Sequence, residues 1–286
     1  MFERYISVDW SGSDLEDRRV NLRVVEATPP DNTGTVVPPP DARRGVRAWT
    51  RAECRRWLAQ ALRMDQPRCL IAMDFGFGYP WGADASVFGS DGWEGMLATL
   101  SGLYAEEGTA RVVAQEVNSS ESFGGHGPYR FNDTRTDFRF YLDNGTPYYR
   151  LVEMAVPQAI SQWYLGSGGT VGFSTITGMA TLDLLMTLRR KGDLDFQVWP
   201  QEGLVPEEDK HVIVESYPAI YPEPSDFGEC TDEHCRDAWR VLQWMLGHHE
   251  KNTLGDYFDI AHKLFERVDV GFEEQVRFEG WIFGVQ

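Results

Sequence analysis

The chain has 286 residues, with 27 Lys and Arg against 44 Asp and Glu, for a formal charge of −17. Acidity on that scale repels nucleic acid over most of a surface, so a nuclease would need a local basic patch or a metal ion. The N-terminal MFERYISVDW carries charges, and no later segment approaches the ~18 apolar residues of a membrane span, so a soluble cytoplasmic protein is expected, with no membrane partner.

In chain order, RYISVD (4–9) and RRVNLRVVEA (18–27) read as two strands of a hairpin, separated by the polar SGSDLED. The Pro- and Gly-rich loop that follows has room for one short edge strand near Thr35 to Val37. TRAECRRWLAQALRM reads as a helix, with Thr50 and Glu53 as a capping box and Cys54, Trp57, Leu58, Ala61 and Leu62 as its apolar stripe. Cys69 to Met73 is a continuous apolar run bounded by Pro67 and by glycines, the pattern of a central strand covered on both faces.

Residues 81–195 differ in character. They hold a helix at 93–106, a short strand in ARVVAQEV (110–117), a glycine-rich polar loop, and a helix at 179–191. This block reads as an insertion capping the sheet edge. The sheet resumes with FQVWPQEG (196–203) and HVIVESYPAIY (211–221), and two helices follow, DEHCRDAWRVLQWML and GDYFDIAHKLFERV. The expected architecture is one α/β domain over 1–286, with its core in 1–80 and 196–286. The four cysteines, Cys54, Cys69, Cys230 and Cys235, are too few for a disulfide scaffold and fit a reducing compartment. Cys230 and Cys235 around His234 have the wrong spacing for a zinc knuckle.

Three apolar strands end in an acid: Asp9, Asp74 and Glu215. Ligands of open α/β sheets bind beyond the carboxyl ends of parallel strands. If those strands are neighbours, the carboxylates converge, repel one another, and must share protons or bind a divalent ion through oxygen, most naturally Mg²⁺ or Mn²⁺. On the helix DEHCRDAWRVLQWML, Asp237 heads the stripe of Val241, Trp244 and Met245, and His234 lies one turn earlier. Asp256 and Asp259 on the next helix read as a cap and as a surface partner of Lys263.

The motifs VDWSG, AMDFGFGYP, VWPQEG, VIVESYP, DAWRVLQWM and EGWIFGV, in that order, resemble the family of ribonuclease H-like nucleases known as domain of unknown function 429. H-x-x-D-A-W-R-V-L is similar to the closing helix of RuvC-type resolvases. The resemblance implies a ribonuclease H-like mixed five-stranded sheet flanked by helices, with a large helical insertion between the fourth and fifth core strands. It implies a metal-dependent phosphodiesterase or nuclease, with Asp9, Asp74 and Asp237 as metal ligands and Glu215 as a further catalytic acid. Two ions held by shared carboxylates would act in an in-line displacement. Ser11, His234, Arg130 and Arg135 are the substrate-contact candidates, with Arg139 beside them, for nucleic acid or a nucleotide held at a local site. DWSGS and DFGFG also resemble the phosphate loops of actin and sugar-kinase ATPases. A non-catalytic binding protein on the same sheet is the remaining alternative.

Overall fold

The computed structural model describes residues 2–13, 16, 18–40, 42–43, 45–119, 127–131, 141–142, 144–166, 170–260 and 271–286. It is an α/β fold: a six-stranded mixed sheet with helices on both faces. The strands are β1 (Arg4–Asp9), β2 (Arg23–Thr28), β3 (Asp31–Val37), β4 (Cys69–Met73), β5 (Phe196–Trp199) and β6 (His211–Glu215), in the order β3-β2-β1-β4-β6-β5. β1, β2 and β3 pair antiparallel, while β1 with β4, β4 with β6, and β6 with β5 pair parallel. The four parallel strands therefore end at one edge of the sheet.

The first and third expected strands are adjacent, as their acids required. The sheet has six strands rather than five, because Asp31–Val37 and Phe196–Trp199 both find partners. β2 begins later than expected. Its first half spends its backbone on Trp49 instead, with Val20 N–H donating to the Trp49 carbonyl and Trp49 N–H to that of Leu22.

The helices are α1 (Arg51–Ala61), α2 (Ala83–Ser86), α3 (Gly92–Glu107), α4 (Ala110–Ser119), α5 (Leu151–Ala155), α6 (Gly172–Arg190), α7 (Glu233–Glu250) and α8 (Gly271–Glu279). The Thr50–Glu53 capping box forms as read. ARVVAQEV is helical, correcting the strand expectation. Its valines favour a strand, but Ala110, Val113, Ala114 and Val117 all fall on one buried stripe at helical spacing, and packing wins. α6 starts earlier than its sequence suggested because Gly172 and Gly178 weaken the local helical signal. Of the last expected helix, Leu254–Tyr257 forms a 3₁₀ turn, and residues 261–270, with Lys263, lie outside the described residues.

Strand alternation sorts the sheet into two cores. Ile6, Val8, Ile71, Met73 and Ile213 pack with residues of α1, α3, α4 and α6. Tyr5, Val25, Leu70, Ala72, Val212 and Val214 pack with α7 and with the Trp281–Phe283 tail. The middle block thus does more than cap an edge: Ile176, Met179 and Leu182 of α6 share one core with β1 and β4. Among the described residues no helix is long and apolar enough to cross a membrane.

Gly178 on α6 lies against the Phe75 ring, and a Cβ there would fall inside that ring. Phe75 is itself fully packed between Trp10 and Phe77. Gly178→Ala gains about 1 kcal/mol of helix propensity but overpacks this contact by about 1–3 kcal/mol. The expected result is a net loss of stability, read as a lower urea midpoint at unchanged slope.

Candidate functional site: a carboxylate cleft at the strand ends

In the parallel pairing of β1 and β4, Val8 stands opposite Met73, and Asp74 N–H donates to the Val8 carbonyl at 3.0 Å. Asp9 and Asp74 are therefore neighbours one step further along, close enough that Asp9 adds to the rise of the Asp74 carboxyl. Val8 and Met73 belong to the α6-side core, so alternation sends the next residue of each strand toward α7. There His234, in the first turn of α7, places Nδ1 2.9 Å from Asp9 Oδ2. Asp237 borders the same cleft, one turn on from His234.

The cleft has a volume of about 750 Å³. Asp9, Ser11, Asp74, His234 and Asp237 all line it, with Phe173, Tyr217 and Arg240 among the walls. Of the acids on the two helices, Asp237 borders the cleft, whereas Asp256 and Asp259 are exposed elsewhere and Asp259 borders a different pocket near Phe2. The Ser11 carbonyl accepts from Arg51 Nη1 at 3.1 Å, and its Oγ accepts from the Ser13 N–H at 3.3 Å, which ties this corner down.

Glu215 does not join the cluster. It pairs with Met73 rather than with Asp74, one residue out of phase, so its side chain faces away from α7. Arg150 takes both its oxygens there, Nη1 to Oε2 at 2.8 Å and Nη2 to Oε1 at 2.6 Å, and the Phe77 N–H adds a third bond at 2.8 Å. Arg150 Nε also binds Glu153 at 2.7 Å, and Nη1 the Glu279 carbonyl at 2.9 Å. All three side chains are essentially without solvent contact. Glu215 is thereby a structural ion-pair partner. Nothing in the sequence gives its register against β4.

The arginines of the middle block also stand elsewhere. Arg130 forms a bridge with Tyr164 and lays its guanidinium 4.8 Å over the Tyr148 ring. Arg135 and Arg139 lie outside the described residues. The cations the sequence reading missed are Arg240, whose Nη2 donates to Glu223 at 2.6 Å, and Arg23, bound to the α7 cap Asp232 at 3.2 Å. Arg240 stands three residues after Asp237, on the same helix face, and that spacing was the available signal.

The glycines of the two Asp-Gly motifs are closed by protein. A Cβ on Gly12 would meet the backbone of Phe173 and Ser174, one on Gly76 the Gln162 amide, and one on Gly78 the Glu279 carbonyl at 2.6 Å. Their role is close packing of chain on chain, which argues against open phosphate loops of the ATPase type. A second difference from expectation is that Cys230 and Cys235 form a disulfide across the start of α7, while Cys54 and Cys69 are free and buried. Cysteine content therefore no longer argues for a reducing compartment.

The charges in the cleft are unbalanced. Burial pushes the Asp9 carboxyl up to about 6 despite the opposing pull of His234. Asp74 is held well above the usual carboxylate range, first by burial and then by Asp9 and Asp237. Asp237 is also raised by burial, and the hydrogen bond that His234 donates to Asp9 raises the imidazole. As donors, Asp9 and Asp74 are hard oxygen ligands. Among the described residues no three of His, Cys, Asp and Glu are grouped so as to hold a metal ion, so the enclosed three-acid site expected from the sequence is replaced by a pair with a third acid nearby.

No protein-family model, curated protein or solved structure matches this chain. The resemblance to ribonuclease H-like nucleases rests on its motifs alone.

The raised Asp9 carboxyl sets a pH dependence. The folded protein holds that proton more tightly than the unfolded chain, whose value is the ordinary 3.8. The stability it contributes is complete below that value and is lost as pH rises through about 6. Asp9→Asn keeps an acceptor for His234 and removes the charge. Relative to wild type it should gain on the order of 2 kcal/mol between pH 4 and pH 7.5, with near equality at the acid end, measured by urea denaturation at both pH values.

Proposed function

We propose that the protein is a divalent-cation-dependent hydrolase of phosphate esters on a sheet of the ribonuclease H-like type, with Mg²⁺ or Mn²⁺ held by Asp9 and Asp74. The observation that carries the reading is the adjacency of these two carboxylates at the ends of neighbouring parallel strands, in a cleft bordered by Asp237 and His234. Two adjacent carboxyls with little access to water hold protons or a cation, because like charges so placed repel one another. The mixed order β3-β2-β1-β4-β6, with β2 antiparallel to β1, supports the fold assignment.

The donor set fits Mg²⁺ better than an ion that needs a closed protein cage. Mg²⁺ sites commonly use one or two carboxylates, with water and substrate phosphate completing the shell. A cation there would neutralise phosphate charge and lower the pKa of a bound water. The residues of this chain do the positioning. Asp9 and Asp74 present oxygens from two rigid strand ends, and His234 fixes the Asp9 carboxylate from α7. Asp237 offers an acceptor on the cleft wall for an attacking water, and Arg240 places a cationic side chain on that wall. Glu215 holds Arg150 and takes no part. The two-ion arrangement suggested by the motifs would need Asp237 as a direct ligand; the adjacent pair Asp9 and Asp74 alone supports one ion.

The assay is hydrolysis of bis(p-nitrophenyl) phosphate with Mn²⁺ and with chelator. Turnover that requires the cation and falls by about 100-fold or more in Asp74→Asn is the expected outcome. Asp256→Asn, away from the cleft, should change the rate by less than about twofold. Turnover unaffected by chelator, or retained in Asp74→Asn, would contradict the proposal.

A further inference from the structure

We infer that the substrate of this cleft is a small phosphate ester carrying a planar organic group, of nucleotide size, and not a nucleic-acid duplex. The inference rests on the hydrolase reading above and specifies its substrate. Three observations carry it: charge, walls and volume.

Asp9, Asp74, Glu233 and Asp237 all border the cleft, against His234 and Arg240 among the described residues. Even those cations are engaged, His234 with Asp9 and Arg240 with Glu223. The neighbouring Arg23 is bound to Asp232. A duplex is held by replacing its counterions with several Lys and Arg side chains along the phosphate track. This cleft has no such track among the described residues, and Arg130 is turned away onto Tyr148. The chain as a whole, at −17, adds long-range repulsion toward any polyanion. A single phosphate escapes that penalty because one bound cation neutralises it.

The walls favour an organic group beside the phosphate. Tyr217 lines the cleft with Asp74, and its hydroxyl donates to the Gln158 carbonyl at 2.8 Å, which fixes the ring. Phe173, at the start of α6, lines the cleft, with the Phe131 ring and the Arg111 guanidinium against its own ring. Pro218 and Ala219 continue the apolar surface. A volume of about 750 Å³ lies within the ~300–1,000 Å³ of ordinary small-ligand sites. Two aromatic side chains beside an acidic pair therefore match a compact ester with a flat leaving group or base.

The test is competition for Mn²⁺-dependent hydrolysis of bis(p-nitrophenyl) phosphate, paired with calorimetric binding of the same competitors to the Mn²⁺-loaded full chain. Adenosine monophosphate and a short DNA duplex are compared at equal phosphate concentration. The nucleotide should bind and inhibit at concentrations at least about tenfold below the duplex, a gap that narrows as salt is raised. Tyr217→Ala and Phe173→Leu should each weaken nucleotide binding about threefold or more, with melting curves confirming that both variants are folded. Equal or stronger inhibition by the duplex, or unchanged nucleotide affinity in both folded variants, overturns the inference and leaves the hydrolase standing. Absence of any Mn²⁺-dependent turnover removes the hydrolase reading, and the substrate assignment with it.

Discussion

The parallel register of β1 against β4 is the constraint on which the site depends. With Val8 opposite Met73, Asp9 and Asp74 must meet at the strand ends, and both must lean toward α7. Burying a like-charged pair is costly, and the surrounding structure accommodates it in stages. His234 offsets one oxygen of Asp9, while Asp232 caps α7 through the Cys235 N–H at 3.0 Å and so sets where His234 stands. The Cys230–Cys235 disulfide closes the chain around that same turn. Burial and the neighbouring acids leave Asp74 well above the usual carboxylate range, and the proposed cation site rests on that imbalance.

A second buried charge cluster lies on the opposite face of the sheet, and there each carboxylate has donors. Arg150 reaches Glu215 on β6, Glu153 on its own turn and the backbone of α8. Glu279 closes the set by accepting from the Leu151 and Trp81 N–H groups at 2.6 and 2.8 Å. Four separate segments are thereby joined around one guanidinium. Such clusters are weak evidence for net stability but expensive to break, since losing one partner strands the others in a dry interior. Its effect on the site is indirect. It fixes the loop after β4 through the Phe77 N–H, and that loop begins at Asp74.

Much of this was legible in the sequence, for identifiable reasons. Apolar runs ending in an acid marked β1, β4 and β6, and helical phase picked Asp237 and His234 over Asp256 and Asp259. Those signals are local. Glu215 looked identical to Asp9 and Asp74 because only the register between β4 and β6 distinguishes them, and register is a tertiary property. ARVVAQEV misled through its valines, whose strand preference yields to packing on the α6 side. The glycines of DWSG and DFGFG suggested openness to a phosphate, whereas each is filled by a neighbouring segment that sequence alone does not bring near.

Whether Asp9 and Asp74 form a cation site decides the chemistry of the cleft. The most direct measurement is anomalous diffraction at the manganese edge from crystals of the full chain soaked in Mn²⁺. The account predicts one peak between the two carboxylates, at oxygen distances of about 2.0–2.3 Å, and its loss in Asp74→Asn crystals. A strand-end cleft with no anomalous peak, while Mn²⁺ binds elsewhere on the chain, would contradict it.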